Sequence, residues 1–290
     1  MVGSASDNKT TLSVIMPAFN AQATIHRSIS STLKAMPESA ELLVYVDGPI
    51  EPEYAFDRIQ DVRLKVLYGD QPRGISFALN ALIEEARGTY VARMDADDVC
   101  LPNRFKKQLA YIEMHDVDFV FMNAVLFGSG VKPFGVLPQP PVMMNPEAVA
   151  FMLPYANPLV HPTMFTRRET LVSLGGYGSA VAEDYALWLK ASLRGLKIVR
   201  LSGFGILYRY HAGQLSQQKS VREGWKADKE VLELISSIRT KFAEQFDTSD
   251  TYLDSVLRAK VASQVRWFNF QYGVFGHLVE TARKTFLRLG

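Results

Sequence analysis

Cysteine is nearly absent from this 290-residue chain, where Cys100 stands alone. A single thiol excludes an internal disulfide framework and a cysteine-built zinc site, and it fits a reducing compartment. Charge of one sign is lacking too. Thirty-two Lys and Arg face 30 Asp and Glu, a net +2. So small a balance supplies no field that argues for nucleic acid as a partner. No apolar run reaches the ~18 residues of a membrane-spanning helix. The opening MVGSASDNKTT is polar and without the apolar stretch of a secretory leader, so a cytoplasmic protein is the expectation. Internal repeats and low-complexity segments are missing as well. What is present suits a folded globular chain: 48% hydrophobic, 11% aromatic, 21% charged. At roughly 150 residues per domain, the length allows one large domain or two smaller ones.

The first half alternates two periodicities. Leu12 to Met16, Leu42 to Val46, Val62 to Tyr68, Tyr90 to Met94 and Asp118 to Leu126 read as short strands. Between them, Ala21 to Ala35, Ile75 to Ala86 and Pro102 to Met114 carry helical spacing, for example Ile25, Ile29 and Leu33 on one face. Gly88 falls where a helix C-cap belongs. This order predicts an α/β fold with a mostly parallel sheet, right-handed crossovers and flanking helices. Residues 128 to 162 are rich in Pro and Gly and read as irregular, with one short helix over Pro146 to Met152. Glu183 to Leu193 reads as a helix, Lys197 to Leu201 and Ile206 to Tyr210 as two strands, and the chain from about Val221 as helical to its end.

In open α/β sheets, ligands bind beyond the carboxyl ends of the strands. Polar residues at those ends are therefore informative: Pro17-Ala18-Phe19-Asn20 after the first strand, Asp47 after the second, Asp95-Ala96-Asp97-Asp98 after the fourth. Three carboxylates in four positions repel one another unless something positive neutralises them. A hard divalent ion, Mg²⁺ or Mn²⁺, fits oxygen ligands of this kind. By itself, the run is equally an acidic loop that caps the helix beginning near Pro102.

The acidic run is one member of an ordered set. Thr10 to Ala21, VYVDGP ending at Pro49, RGISFALNALIEEARGTYVARMDADD from Arg73 to Asp98 and LPNRFKKQ from Leu101 to Gln108 follow in that order. The set resembles the nucleotide-sugar-binding half of family 2 glycosyltransferases, whose fold is called GT-A. In the second half, VHPTMFTRRE (Val160 to Glu169), GGYGSAVAEDYALWLK (Gly175 to Lys190) and YRYHAGQLS (Tyr208 to Ser216) resemble later motifs of the same family. The likeness covers roughly residues 10 to 216. It implies a GT-A domain over 1–217, with the nucleotide handled by about 10–127 and the acceptor by about 128–217. A C-terminal helical extension over 218–290 is left outside it.

The resemblance implies an inverting enzyme. It moves a sugar from a nucleotide diphosphate donor, UDP-linked, to a hydroxyl of a glycan, lipid-linked or protein acceptor, with a Mn²⁺ or Mg²⁺ ion. Pro17, Ala18 and Phe19 then border the nucleotide; a buried turn is the other reading of these three. Asp47 accepts a hydrogen bond from the base, or else belongs to an Asp-Gly-Pro turn. Gly48 stands where the family often has a second acid. Arg73 lines the nucleotide loop or is a solvated arginine, and Asn80 on the next helix is structural. Asp95 faces the sugar, Asp97 the metal, and Asp98 caps the helix. Asp184 is the base and Glu183 assists it; the other reading is a pair of acids favoured by a helix N-terminus. His211 ligates the metal or meets a phosphate oxygen, as Arg209 and Tyr210 do, or is a partly exposed histidine after a strand. His161, before Pro162, shapes a loop.

Ser255 to Gly290 holds six basic residues against the single acid Glu280, interleaved with Trp267, Phe268, Phe270, Tyr272, Phe275 and Phe286. Such a segment packs on the core or across a homodimer interface, which base rates favour. The alternative is a peripheral contact with the inner face of an anionic membrane. Three other functions compete. A sugar nucleotidyltransferase needs a Lys- and Gly-rich phosphate loop, which VIMPAFNAQ lacks. A glycoside hydrolase gives no reason for Asp47. An inactive binding or scaffolding protein of the same fold would not need both Asp97 and Asp184.

Overall fold

The computed structural model describes residues 10–49, 51–128, 135–137, 141–211, 224 and 226–246. The basic aromatic tail, Trp225 and residues 212–216 of the last motif lie outside them. Nine strands form one sheet in the order β3-β2-β1-β4-β8-β6-β9-β5, with β7 (Val136–Leu137) paired to β6. Here β1 is Leu12–Ala18, β2 Ala40–Val46, β3 Leu64–Tyr68, β4 Tyr90–Arg93, β5 Val99–Cys100, β6 Phe119–Gly128, β8 Phe165–Arg167 and β9 Ile198–Tyr210. β1, β2, β3 and β4 pair in parallel, as do β6 and β9. The short β8 is antiparallel to both β4 and β6, which sets the two groups in one direction. The sheet is therefore mostly parallel.

The runs that read as continuous apolar stretches split by alternate residues onto two layers, as the pleat requires. Val14, Met16, Leu42, Val44, Ala92 and Val120 face one cluster with Ile25, Ile29 and Leu33 of α1 (Ile25–Ala35) and Phe105 and Ile112 of α3 (Arg104–Met114). Ile15, Leu43, Tyr45, Val91, Phe119 and Phe121 face the other. That layer holds Leu79 and Leu82 of α2 (Ile75–Glu85), Val149 of α4 (Pro146–Met152), Leu171 of α5 (Arg168–Leu174) and Trp188 of α6 (Glu183–Leu193). Val231, Ile235 and Ile238 of α7 (Lys229–Phe246) join it. Trp188 is fully buried, its ring edge-on to Phe119 at 5.4 Å and to Phe121 at 4.9 Å.

Two local expectations change, and a strand appears that has no counterpart in the sequence reading. The two strands expected over residues 197–210 are one strand, β9, of 13 residues. Its SGFG interruption is absorbed by register shifts on either side of Asn123, and the Asn123 side-chain amide donates to the Leu201 carbonyl at 3.0 Å. Three-residue β8 has too few positions to show a period. Gly88 is no C-cap: α2 ends in extended Ala86. Instead, the Gly88 N–H donates to the Ser13 hydroxyl (2.8 Å), and a Cβ there would sit 2.5 Å from the Ser13 nitrogen. Backbone atoms of a central strand cannot give way by that much. Gly88→Ala is thus expected to lower unfolding free energy by about 1–3 kcal/mol in urea titrations.

Candidate active site

The parallel strands deliver their carboxyl ends to one edge. At the end of β1, Ala18 is buried, Pro17 half-buried and Phe19 55% exposed. The Ala18 carbonyl accepts the Asp47 N–H at 2.8 Å. The Asp47 carboxylate, itself buried, accepts the backbone N–H groups of Arg73 (2.7 Å) and Gly74 (2.8 Å). It therefore fixes the loop that starts α2. The Arg73 guanidinium lies 3.5 Å from the Phe77 ring centroid, a cation–π contact at the surface.

The acidic loop after β4 is held by its backbone. The Ser28 hydroxyl of α1 donates to the Asp95 carbonyl (2.6 Å), and Thr24, just before α1, donates to that of Ala96 (3.0 Å). Nε of Arg209 on β9 donates to the Asp97 carbonyl (2.7 Å). From α3, the buried Arg104 donates to the Arg93 carbonyl (2.7 Å). With the main chain tied down on these sides, the carboxylates are placed by scaffold and not by one another. Asp98 does not cap α3, whose N-cap is Asn103 in the left-handed region. Its carboxylate is buried and accepts the Arg209 N–H at 2.8 Å; burial, then Asp95 and Asp97, hold its pKa well above the carboxylate range. Tyr210 closes β9 opposite Gly128.

Asp95, Asp97 and Asp98 present oxygens within 4.8 Å of one another. Asp97 Oδ2 lies 3.2 Å from His211 Nε2, and both side chains are partly exposed. An open oxygen-and-imidazole donor set suits Mn²⁺ or Mg²⁺, and Asp97 with His211 would hold it. The structure therefore brings His211 to the acidic loop across 114 residues of sequence.

Glu183 and Asp184 open α6, with no side-chain cap before them. Asp184 Oδ1 accepts the Tyr185 N–H (2.7 Å) and Oδ2 the Asn157 amide (3.1 Å). Burial raises the pKa of both acids, and the Asp184 charge helps push Glu183 up to about 7. His161 is buried beside them. It forms a second cluster with the two acids, but a guanidinium already supplies positive charge nearby.

That guanidinium belongs to Arg93, the last residue of β4 and 3% exposed. Its Nη2 is 2.6 Å from Asp95 Oδ1, while Nε and Nη1 have no hydrogen-bond partner among the described residues. Its charge acts on Asp95 and on Glu183, Asp184 and Tyr177. Arg93 is thus paired with an acid after β4, and its charge is also felt by the acids of α6. Neither it nor Tyr177 and Asn157 carries a sequence signal beyond position. The signal for Arg93 is a cation ending a strand that is otherwise buried. Asn80 is structural: its amide pairs with both backbone polar groups of Tyr177, at 2.8 and 2.9 Å. Gly176 before it has φ +68°, and a Cβ would meet Asn80 Oδ1.

The comparisons with known proteins agree with this architecture. Residues 13–174 match the family described as Glycosyl transferase family 2. An uncharacterized glycosyltransferase of Haemophilus influenzae is 30% identical over 68% of this chain and 74% of its own length. The Escherichia coli UDP-Glc:alpha-D-GlcNAc-diphosphoundecaprenol beta-1,3-glucosyltransferase WfaP is 27% identical over 72% of this chain and 80% of its own. The crystal structure of S. aureus TarS 1–349 in complex with UDP-GlcNAc superposes with TM-score 0.61. It is 19% identical, and the match covers 90% of this chain and 74% of that TarS fragment. The sheet is that of the GT-A fold. The chain belongs to glycosyl transferase family 2 and is a glycosyltransferase.

Because the folded pKa of Glu183 lies above its ordinary 4.5, the stability that comes with its protonated form is complete below pH 4.5. It is lost as pH rises through about 7. Glu183→Gln keeps a neutral group at all pH values. Above pH 7 the variant is expected to be more stable than wild type by about 1–3 kcal/mol, and below pH 4.5 the gap is expected to close. Denaturation midpoints measured across that range check the sign.

Proposed function

We propose that the chain is an inverting transferase. It moves a sugar from a UDP-linked donor onto a hydroxyl of a glycan or lipid-linked acceptor, with a divalent cation held by Asp97 and His211. The observation that carries the proposal is that Arg93 pairs with Asp95 while its charge also acts on the Glu183–Asp184 pair. A single displacement needs donor-facing groups and a proton acceptor around one carbon. WfaP, by its name, takes UDP-Glc to a diphosphoundecaprenol-linked sugar. The TarS crystals contain UDP-GlcNAc. Both support the donor class, and WfaP supports the acceptor class.

In this mechanism Phe19 and Pro17 border the base, with Ala18 behind them. Asp47 shapes the Arg73–Gly74 loop and offers its remaining lone pairs to a base N–H. Asp95, oriented by Arg93, meets sugar hydroxyls. Arg209 and Tyr210 flank the diphosphate. When bound, the cation neutralises charge that collects on the leaving diphosphate. Asp184 takes the proton of the acceptor hydroxyl as the new glycosidic bond forms from the face opposite the leaving group. A carboxylate raised toward neutrality by burial is a stronger base than one in water. Glu183 adjoins it and orients the acceptor. Residues 10–127 handle the donor and 128–217 the acceptor. The enzyme works in the cytoplasm and meets lipid-linked acceptors at the inner membrane face. Among the described residues no helix is long and apolar enough to cross a membrane.

Asp184→Asn is expected to cut kcat by about 10²–10⁴-fold while the affinity for UDP stays within a factor of about two. Equal loss of turnover and binding would overturn the assignment. Asp97→Ala is expected to abolish the Mn²⁺-dependent part of UDP affinity in calorimetry. Equal affinity with and without Mn²⁺ in wild type would remove the metal from the account.

A further inference from the structure

We infer that His161, held by the Tyr177 hydroxyl, is a positioning residue for the Glu183–Asp184 pair. It is a neutral imidazole whose Nδ1–H faces both carboxylates and favours their ionised form. The inference rests on the reading of Asp184 as the base.

His161 begins a 3-10 turn, His161–Thr163. The Thr163 hydroxyl locks that turn to β6: it lies 2.7 Å from the Val160 carbonyl and accepts the Met122 N–H at 3.0 Å. The imidazole is packed edge-on to Trp188 at 5.7 Å, so its plane is not free to swing. Nε2 lies 2.8 Å from the Tyr177 hydroxyl oxygen. The other neighbour of that hydroxyl is the Met164 sulfur at 3.6 Å, a weak acceptor. The hydroxyl hydrogen therefore goes to Nε2. A neutral imidazole has one N–H, which leaves it on Nδ1.

Nδ1 is 3.8 Å from Glu183 Oε1 and 4.0 Å from Asp184 Oδ2. The two distances are nearly equal. Each exceeds a hydrogen bond by about 1 Å, the slack that catalytic contacts show before substrate closes a site. Burial and the Arg93 charge keep the ring neutral, so it acts through an N–H and not through a cation. Among the described residues, these charged and titratable groups act around the pair. Arg93 and Asp95 face it from the end of β4, and Tyr177 from the loop before α6. On α7, Arg239 acts on Tyr185. A donor aimed at a carboxylate lowers its pKa. Losing that donor raises it, and the base is then protonated at a pH where it is needed ionised.

Two spectroscopic measurements on the full chain test this. The first is ¹⁵N NMR of histidine-labelled protein, with His161→Gln identifying the resonance. It is expected to show a neutral ring protonated at Nδ1 in wild type and redistributed toward Nε2 in Tyr177→Phe. The second is the titration of ¹³C-labelled Glu183 and Asp184 carboxyls. Its apparent midpoints are expected to rise by about one pH unit in Tyr177→Phe and in His161→Gln. Tyr177→Phe keeps the aromatic packing, so it carries the test if the histidine variant fails to fold. A wild-type proton on Nε2, or midpoints unmoved in Tyr177→Phe, overturns the inference. Failure of the base reading is separate: it would appear as transfer surviving in Asp184→Asn, whatever the titrations show.

Discussion

Arg93 carries a full positive charge at the end of a central strand, where almost no water reaches it. Taking a guanidinium out of water costs several kcal/mol unless anions and hydrogen bonds replace the solvent. Asp95 meets one edge at 2.6 Å, and the Glu183–Asp184 pair completes the compensation from another layer of the fold. The converse also holds. Three half-buried carboxylates repel one another unless a cation stands among them. Each group is tolerable only because the others are there, so the two halves of the site depend on one another energetically. A chain that satisfies this constraint has already gathered donor-side and acceptor-side acids at one place.

The scaffold makes that gathering possible by fixing main chain before side chain. Hydroxyls of α1 and of Thr24 just before it, the guanidinium of Arg104 and Nε of Arg209 all bind backbone carbonyls of the segment that bears the acids. Asn80 does the same for the loop that delivers Tyr177. Hydrogen bonds of this kind order a loop without spending the carboxylates, most of which keep acceptor capacity. Asp98 is the exception: it is buried and used to pin β9. The price of such order is a set of titratable groups held away from their solution behaviour, which is where functional sites concentrate.

Much of this was legible in the residues themselves. Strand and helix alternation, the short helix at Pro146–Met152 and the start of α6 at Glu183 were readable because period and length agree there. Asp95 and Asp97 stood out as acids crowded at a strand end, whereas Glu183, Asp184 and His211 were singled out only through the resemblance to family 2 glycosyltransferases. Three things were not legible. β8 is too short to have a period. The bulge that makes β9 one strand depends on Asn123, 78 residues from the Leu201 carbonyl it holds. Arg93 and His161 act through burial, and burial is a property of the assembled layers. In sequence, one is an arginine before an acidic run and the other a histidine before proline. Gly88 shows the same limit, since its need for a bare Cα comes from Ser13, distant in sequence and adjacent in the sheet.

The central claim is that both acid groups serve one reaction centre. A crystal structure of the full chain with Mn²⁺ and a UDP-sugar examines it most directly. Density is expected for the diphosphate beside Asp97 and His211, for a sugar hydroxyl on Asp95, and for the anomeric carbon turned toward Asp184. A nucleotide bound elsewhere, or a sugar whose anomeric carbon points away from α6, would contradict it.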